Sequence, residues 1–165
     1  MPFGVPWTDA EQPALQRSTL QWHWRQRGAL SPARWSLGFV AYERGAADDR
    51  TLVGMQEVNA TDFASLRRVH TGSWLGRAHQ GRGLGKEMRA AVLHLAFAGL
   101  GAQQAHTDAW HDNHASAGVS ASIGYRPNGE RLLLRRGVAD RMLAFRLDRA
   151  DWETAQRDDI VIVGL

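Results

Sequence analysis

The stretch Gly76-Arg77-Ala78-His79-Gln80-Gly81-Arg82-Gly83-Leu84-Gly85-Lys86 decides how the chain folds. Ahead of it, Val69 to Leu75 is rich in Val, Thr and Trp and reads as a strand. Behind it, Glu87 to Leu100 reads as a helix, with Met88, Ala91, Val92, Leu95 and Ala96 along one face and Gly99 and Gly101 as stops. A strand that enters a glycine-rich corner and leaves as a helix presents backbone N–H groups without intrahelical acceptors, at the positive end of the helix dipole. Such a corner suits anions, because the glycines let phosphate oxygens approach the backbone while Arg77, Arg82 and Lys86 bring positive charge. Two common phosphate loops do not fit. A dinucleotide fingerprint needs G-x-G-x-x-G near the first strand of a parallel unit, whereas the glycines here run Gly81-x-Gly83-x-Gly85 midway along the chain. A P-loop needs Ser or Thr after its Gly-Lys, and Gly85-Lys86 is followed by Glu87.

Upstream of this corner, Trp35 to Tyr42 reads as a strand, Gly45 to Arg50 as a hairpin loop and Leu52 to Val58 as the antiparallel partner strand. Thr61 and Asp62 are turn or cap residues of the Asn59 to Arg67 connection. A helix is expected from Thr8 or Asp9 to about Arg27, ended by Gly28, with Pro13 tolerable only near its start and Leu15, Thr19, Trp22 and Gln26 at helical spacing. Downstream, Ala105 to Trp110 reads as a short strand and Asn113 to Ile123 as a helix closed by Gly124. Arg131 to Arg136 and Met142 to Leu147 read as two strands joined at Gly137, and Ile160 to Val163 as an edge strand. This alternation predicts a mixed α/β (α+β) fold.

The 165 residues suit one domain spanning 1–165, and 44% hydrophobic with 22% charged residues is a globular composition. No apolar run approaches the roughly 18 residues needed to span a bilayer, and Met1 to Asp9 lacks the basic and apolar segments of a signal peptide, so a cytoplasmic protein with no membrane partner is expected. The absence of cysteine removes disulfide scaffolds, thiolate metal sites and cysteine nucleophiles. The net charge is only +3, Lys86 is the sole lysine, and the arginines are interleaved with the 17 acids instead of forming a basic arm, which argues against nucleic acid as the main partner. Trp22, Trp24 and Trp35 promise aromatic area for a core or a pocket wall. His106, His111 and His114 read as polar surface residues, and no metal is expected.

Gln80-x-x-Gly83-x-Gly85 resembles the Q/R-x-x-G-x-G/A pyrophosphate loop of the GNAT superfamily of acyl-CoA-dependent N-acyltransferases. Gly72-Ser-Trp-Leu75 resembles the fourth strand of that family, and Asn113-x-x-Ser116 followed by Gly124-Tyr125 resembles the N-x-x-S and G-F/Y signature of its ribosomal-protein-alanine acetyltransferase (RimJ/RimL-like) branch. The resemblance covers about Trp35 to Leu147 and implies a mostly antiparallel central sheet with helices on both faces, splayed into a wedge for acyl-CoA. It also implies transfer of an acetyl or other short acyl group from acyl-CoA to a primary amine, on a small molecule or a protein N-terminus, by direct attack and with no metal. The backbone of Trp74 and Leu75 would pair with pantetheine, Arg77, Gln80, Gly81, Arg82, Gly83, Leu84, Gly85 and Lys86 would hold the pyrophosphate, and Asn113 would hold the pantetheine arm.

Many family members protonate the departing CoA thiolate with a Tyr on the helix after the fifth strand, and this chain has Ser120 there. In the resembling branch that role falls on the N-x-x-S serine, here Ser116, while Glu57 is the candidate base that draws a proton from the amine through water. His70, His106 and His111 are alternatives for the base. The acceptor pocket is expected near the first helix, Trp22, Trp24 and Phe63. Branch members usually begin with a further strand and helix ahead of the segment read from Thr8. Phe3, Val5, Pro6 and Trp7 would then follow a missing element, exposing a sheet edge for a neighbour, such as a second copy in a homodimer, or for the C-terminal strand. The missing Tyr and short N-terminus keep open a non-catalytic acyl-CoA-binding or assembly module.

Overall fold

Alternation of side chains places Val58 and Ala60 of one strand and Val69 of the next on a common buried face, and a six-stranded sheet is built on that face. The computed structural model describes residues 7–45 and 49–165. Among these residues the strands are β1 (Arg34–Arg44), β2 (Arg50–Thr61), β3 (Arg68–Leu75), β4 (Gln104–Trp110), β5 (Arg126–Arg135) and β6 (Val138–Asp148), in the spatial order β1-β2-β3-β4-β6-β5. All neighbours are antiparallel except β3 and β4, which run parallel. The helices are α1 (Ala14–Gly28), α2 (Phe63–Leu66), α3 (Leu84–His94), α4 (His114–Ile123) and α5 (Arg149–Glu153).

α3 and α4 cover the buried face, where Val92, Leu93, Ala96 and Phe97 pack on Val58, Val69, Ala105 and Leu147 and Trp152 of α5 stacks on Phe97 at 5.1 Å. α3 continues into a wider turn over Leu95–Gly99, in which Leu100 N–H donates to the Leu95 carbonyl five residues back, and Arg149 Nη1 donates to the Phe97 carbonyl at 2.6 Å. α4 has the ends that the residues imply: Asn113 Oδ1 accepts from Ser116 N–H at 3.2 Å, and Gly124 closes the helix at φ 98°. On the opposite face the end of α1 meets β1 and β2, where Gln26 and Ala29 share a shallow pocket of about 300 Å³ with Ser36, Glu57 and Asn59.

Four expectations change. The first helix starts at Ala14, not at Thr8 or Asp9, because the residue before a proline disfavours helical angles and Pro13 is the N-cap. Its half-buried face is Leu15, Thr19, His23 and Gln26, whereas Trp22 and Trp24 are exposed, Trp24 at 62%. β5 begins at Arg126, five residues early, with an irregularity between Pro127 and Glu130 that absorbs Gly129 at φ 93°. Ile160 to Val163 forms no strand, and Ile162 and Leu165 instead lie where a Cβ on Gly99 would meet them at 3.3 Å. Part of the Gly45 to Arg50 loop, residues 46–48, and Phe3, Val5 and Pro6 lie outside the described residues. Among the described residues no helix is long and apolar enough to cross a membrane.

Candidate active site

The parallel pairing of β3 and β4 is short: Arg68, Val69 and His70 face Gln104, Ala105 and His106, and no register partners follow. Thr71 and Thr107 mark the apex, with Thr107 Oγ1 donating to the Thr71 carbonyl at 2.9 Å and Thr71 Oγ1 to the His106 carbonyl at 3.4 Å. Beyond the apex β3 is paired only with β2, through Gly54 opposite Leu75, and β4 only with β6. The two strands therefore part beyond His70, and the second half of β3 lines the gap. Since Thr71 turns its carbonyl toward β4, the strand alternation turns Ser73 and Leu75 the same way. Gln80 Nε2 donates to the Leu75 carbonyl at 3.1 Å, fastening the loop to the strand end.

At the mouth of this gap, Arg77 lies in a short 3-10 turn and the loop swings through Gly81 at φ 74° and Gly83 at φ 84° into α3. These left-handed angles favour glycine, and a Cβ at either position would meet nothing within 4 Å. Lys86 and Glu87 N–H groups donate to the Gly83 carbonyl, while Leu84 and Gly85 N–H groups have no acceptor among the described residues. A Cβ on Gly85 would meet Leu75 at 3.5 Å and Val119 at 3.6 Å, so the start of α3 lies close to the end of β3 and the middle of α4. Arg82 Nη2 is paired with Glu43 Oε1 at 2.6 Å, and Lys86 borders a separate groove with Glu87, Trp152 and Arg157.

Ser116 and Glu57 lie on opposite faces of the sheet. Ser116 is in the first turn of α4, and its hydroxyl has no partner among the described residues. Ser120 is buried and its Oγ donates to the Ser116 carbonyl at 3.1 Å, so its proton is already committed. Glu57 Oε1 accepts from Ser36 Oγ at 2.8 Å and Asn59 Nδ2 at 3.0 Å, one strand away from the gap. At the apex on that face stands a pair that sequence spacing does not announce, His70 Nε2 to Asp108 Oδ2 at 3.1 Å, 38 positions apart. Burial alone would raise the Asp108 carboxyl, but the His70 hydrogen bond and the Arg131 guanidinium at 2.5 Å hold it below the usual carboxylate range. A carboxylate can only accept, so His70 donates through Nε2, and Nδ1 lies outside this hydrogen bond. Burial and the nearby Arg68 push the His106 imidazole down, and His111 is paired with Asp140 at 3.0 Å.

Arg89 and the Tyr125 hydroxyl also escaped sequence reasoning. Arg89 sits in the stripe Gly85, Arg89, Val92, Leu93, Ala96, whose spacing marks the sheet-facing side of α3, and a charge in that stripe was the available signal. Tyr125 is buried, its hydroxyl 3.2 Å from Thr71 Oγ1.

The site is thus a sheet that opens between two parallel strands, with the bare N-terminus of a helix at the mouth of the opening. The family described as acetyltransferase (GNAT) domain matches residues 1–126, and the chain belongs to that family, whose members are N-acetyltransferases with acetyl-CoA as co-substrate. Solved structures agree on the fold. One, assigned as a ribosomal-protein-serine acetyltransferase from Vibrio cholerae, superimposes with a TM-score of 0.60 at 22% identity over 81% of this chain and 71% of that one. Another, a variant of the spermidine N-acetyltransferase SpeG from Vibrio cholerae, gives 0.67 at 12% identity over 85% of this chain and 79% of that one. The chain is thus similar to enzymes with different acceptors on one scaffold.

Proposed function

We propose that the β3–β4 gap takes the pantetheine arm of acetyl-CoA, that the N-terminus of α3 takes its pyrophosphate, and that a primary amine attacks the thioester directly from the face carrying His70 and Asp108. The observation that carries this reading is the end of β3–β4 pairing at His70, beyond which the Ser73 main chain is turned toward the gap and can meet an arm made of amides. The open space at Gly81 and Gly83 and the acceptor-less amides of Leu84 and Gly85 fit a diphosphate. Residues 1–165 act as one acyltransferase unit.

The amine must arrive without its proton. His70, oriented by the ionised Asp108, stands at the apex with Nδ1 outside that hydrogen bond, whereas Glu57 lies one strand further away. His70→Gln is expected to lower kcat/KM by about a hundredfold, the scale of losing a general base. Glu57→Gln should change kcat/KM less than threefold or so on that scale. Steady-state rates across pH check both, and a damaging Glu57→Gln beside a silent His70→Gln would return the role to Glu57.

On the other face, the free Ser116 hydroxyl can donate to the departing sulfur and Asn113 stands beside it as the helix cap. Ser116→Ala should lower kcat about tenfold with little change in KM for acetyl-CoA, while Ser120→Ala leaves kcat near normal because its hydroxyl serves the helix backbone. CoA release with a panel of amines, including spermidine and N-terminal peptides, tests the activity and identifies the acceptor class. Tight CoA binding without release on any amine would favour a non-catalytic module.

A further inference from the structure

The Arg89 side chain is 2% exposed, on the face of α3 that meets the sheet. Its Nη2 donates to Ser73 Oγ at 3.3 Å, and its guanidinium carbon is 5.9 Å from the Tyr125 ring centre. Nε and Nη1 are buried without an acceptor, and no carboxylate pairs with the group among the described residues. A buried cation with neither counter-charge nor full hydrogen bonding destabilises a fold. Here it lies under β3 on the face covered by α3, held by the Ser73 side chain two residues beyond Thr71, where β3 has parted from β4. Tyr125 gives its ring face to the guanidinium and its hydroxyl to Thr71 at the apex.

The reaction of the family generates one negative charge in such a gap. The phosphates belong at the start of α3, about 7.5 Å back along the helix from Arg89 at 1.5 Å per residue. The sulfur lies at the other end of the arm and becomes anionic when the thioester breaks. We propose that Arg89 is the counter-charge for the departing CoA thiolate, with Ser73 and Tyr125 as positioning residues; this rests on the reading of the β3–β4 gap as the pantetheine channel. The amine lone pair forms the new C–N bond, the C–S bond breaks with its electron pair going to sulfur, and the amine proton passes to His70. Arg89 keeps its protons and donates hydrogen bonds to the sulfur, supplying the charge that a neutral Ser116 hydroxyl lacks.

The test titrates the thiol of CoA bound to the full chain, followed by the ultraviolet absorbance of the thiolate. In the wild type the bound thiol should ionise at a pH about one to two lower than free CoA, as for a group beside an opposite charge. In Arg89→Met it should ionise no lower than free CoA, kcat should fall about a hundredfold with KM for acetyl-CoA nearly unchanged, and Tm should hold or rise because a buried charge is gone. Arg89→Lys should retain part of the lowered ionisation. Desulfo-CoA should bind wild type and Arg89→Met alike. The proposal is overturned if the bound thiol of the wild type titrates like free CoA, or if Arg89→Met keeps the lowered titration. Should Arg89→Met not fold, the wild-type titration alone decides. A wild type that binds neither CoA nor desulfo-CoA would overturn the channel reading and this inference with it, whereas binding with an unshifted thiol overturns this inference alone.

Discussion

Gly83→Asp is expected to weaken acetyl-CoA binding by roughly a thousandfold, about 4 kcal/mol, while the protein still folds. A Cβ at this position meets nothing within 4 Å, so bulk inside the protein is not the obstacle. The φ of 84° is costly for most side chains, but Asp tolerates the left-handed region better than most, and the destabilisation should stay near 1 kcal/mol. The damage is electrostatic. The new carboxylate sits at the start of α3, where it can accept the Leu84 and Gly85 amides itself and repel the phosphates that would otherwise use them. Ligand-dependent melting is the check. A folded-state ligand at a hundredfold excess over Kd stabilises by about 2.7 kcal/mol, and this shift should be present in the wild type, reduced in Gly83→Ala and absent in Gly83→Asp. A Gly83→Asp protein that melts normally and is still protected by acetyl-CoA would remove the loop from the binding site.

Local signals were legible where one residue sets one boundary. Asn113 and Gly124 bound α4 because a cap side chain and a left-handed glycine act within a turn of the helix end. The strand-corner-helix at Gly76 to Lys86 was legible for the same reason, and the resemblance carried by its glycines led to the family. What did not show is set by the sheet. The pairing of β3 with β4 stops after His70, and no property of His70 or Thr71 alone ends a ladder whose partner strand lies more than thirty residues on. His70 and Asp108 meet only because two parallel strands put them on one face, and Arg89 meets Ser73 only because α3 lies across β3. Of the two roles open to Trp22 and Trp24, core or pocket wall, the structure removes the first: the helix turns His23 inward and leaves both indoles more exposed than the ring of Trp35, which packs on Phe63 at 5.4 Å.

Gly54→Ala should destabilise the protein by about 3 kcal/mol, lowering Tm by roughly 6–12 °C, and should also weaken acetyl-CoA binding in the fraction that remains folded. A Cβ on Gly54 would stand 2.1 Å from the Trp74 carbonyl oxygen and 3.1 Å from both the Trp74 carbonyl carbon and the Leu75 Cα. All three are backbone atoms, so no side chain can swing aside, and β2 must retreat from β3 at the Gly54–Leu75 pair. That pair also fixes the edge of the gap: Leu75 carries the carbonyl that holds Gln80, and through Gln80 the start of the phosphate loop. A displaced Leu75 therefore misplaces strand edge and loop together, which is why stability and affinity should fall in the same variant. Gly118→Ala is the control. It lies in the interior of α4 with nothing within 4 Å of the added Cβ, so replacing a flexible helical glycine should stabilise by about 0.5–1 kcal/mol without touching acetyl-CoA affinity. Thermal melts with and without acetyl-CoA separate the two effects. A Gly54→Ala protein as stable as the wild type would mean that β2 and β3 can part at no cost, and the strand edge would then not be the rigid wall on which the binding argument depends.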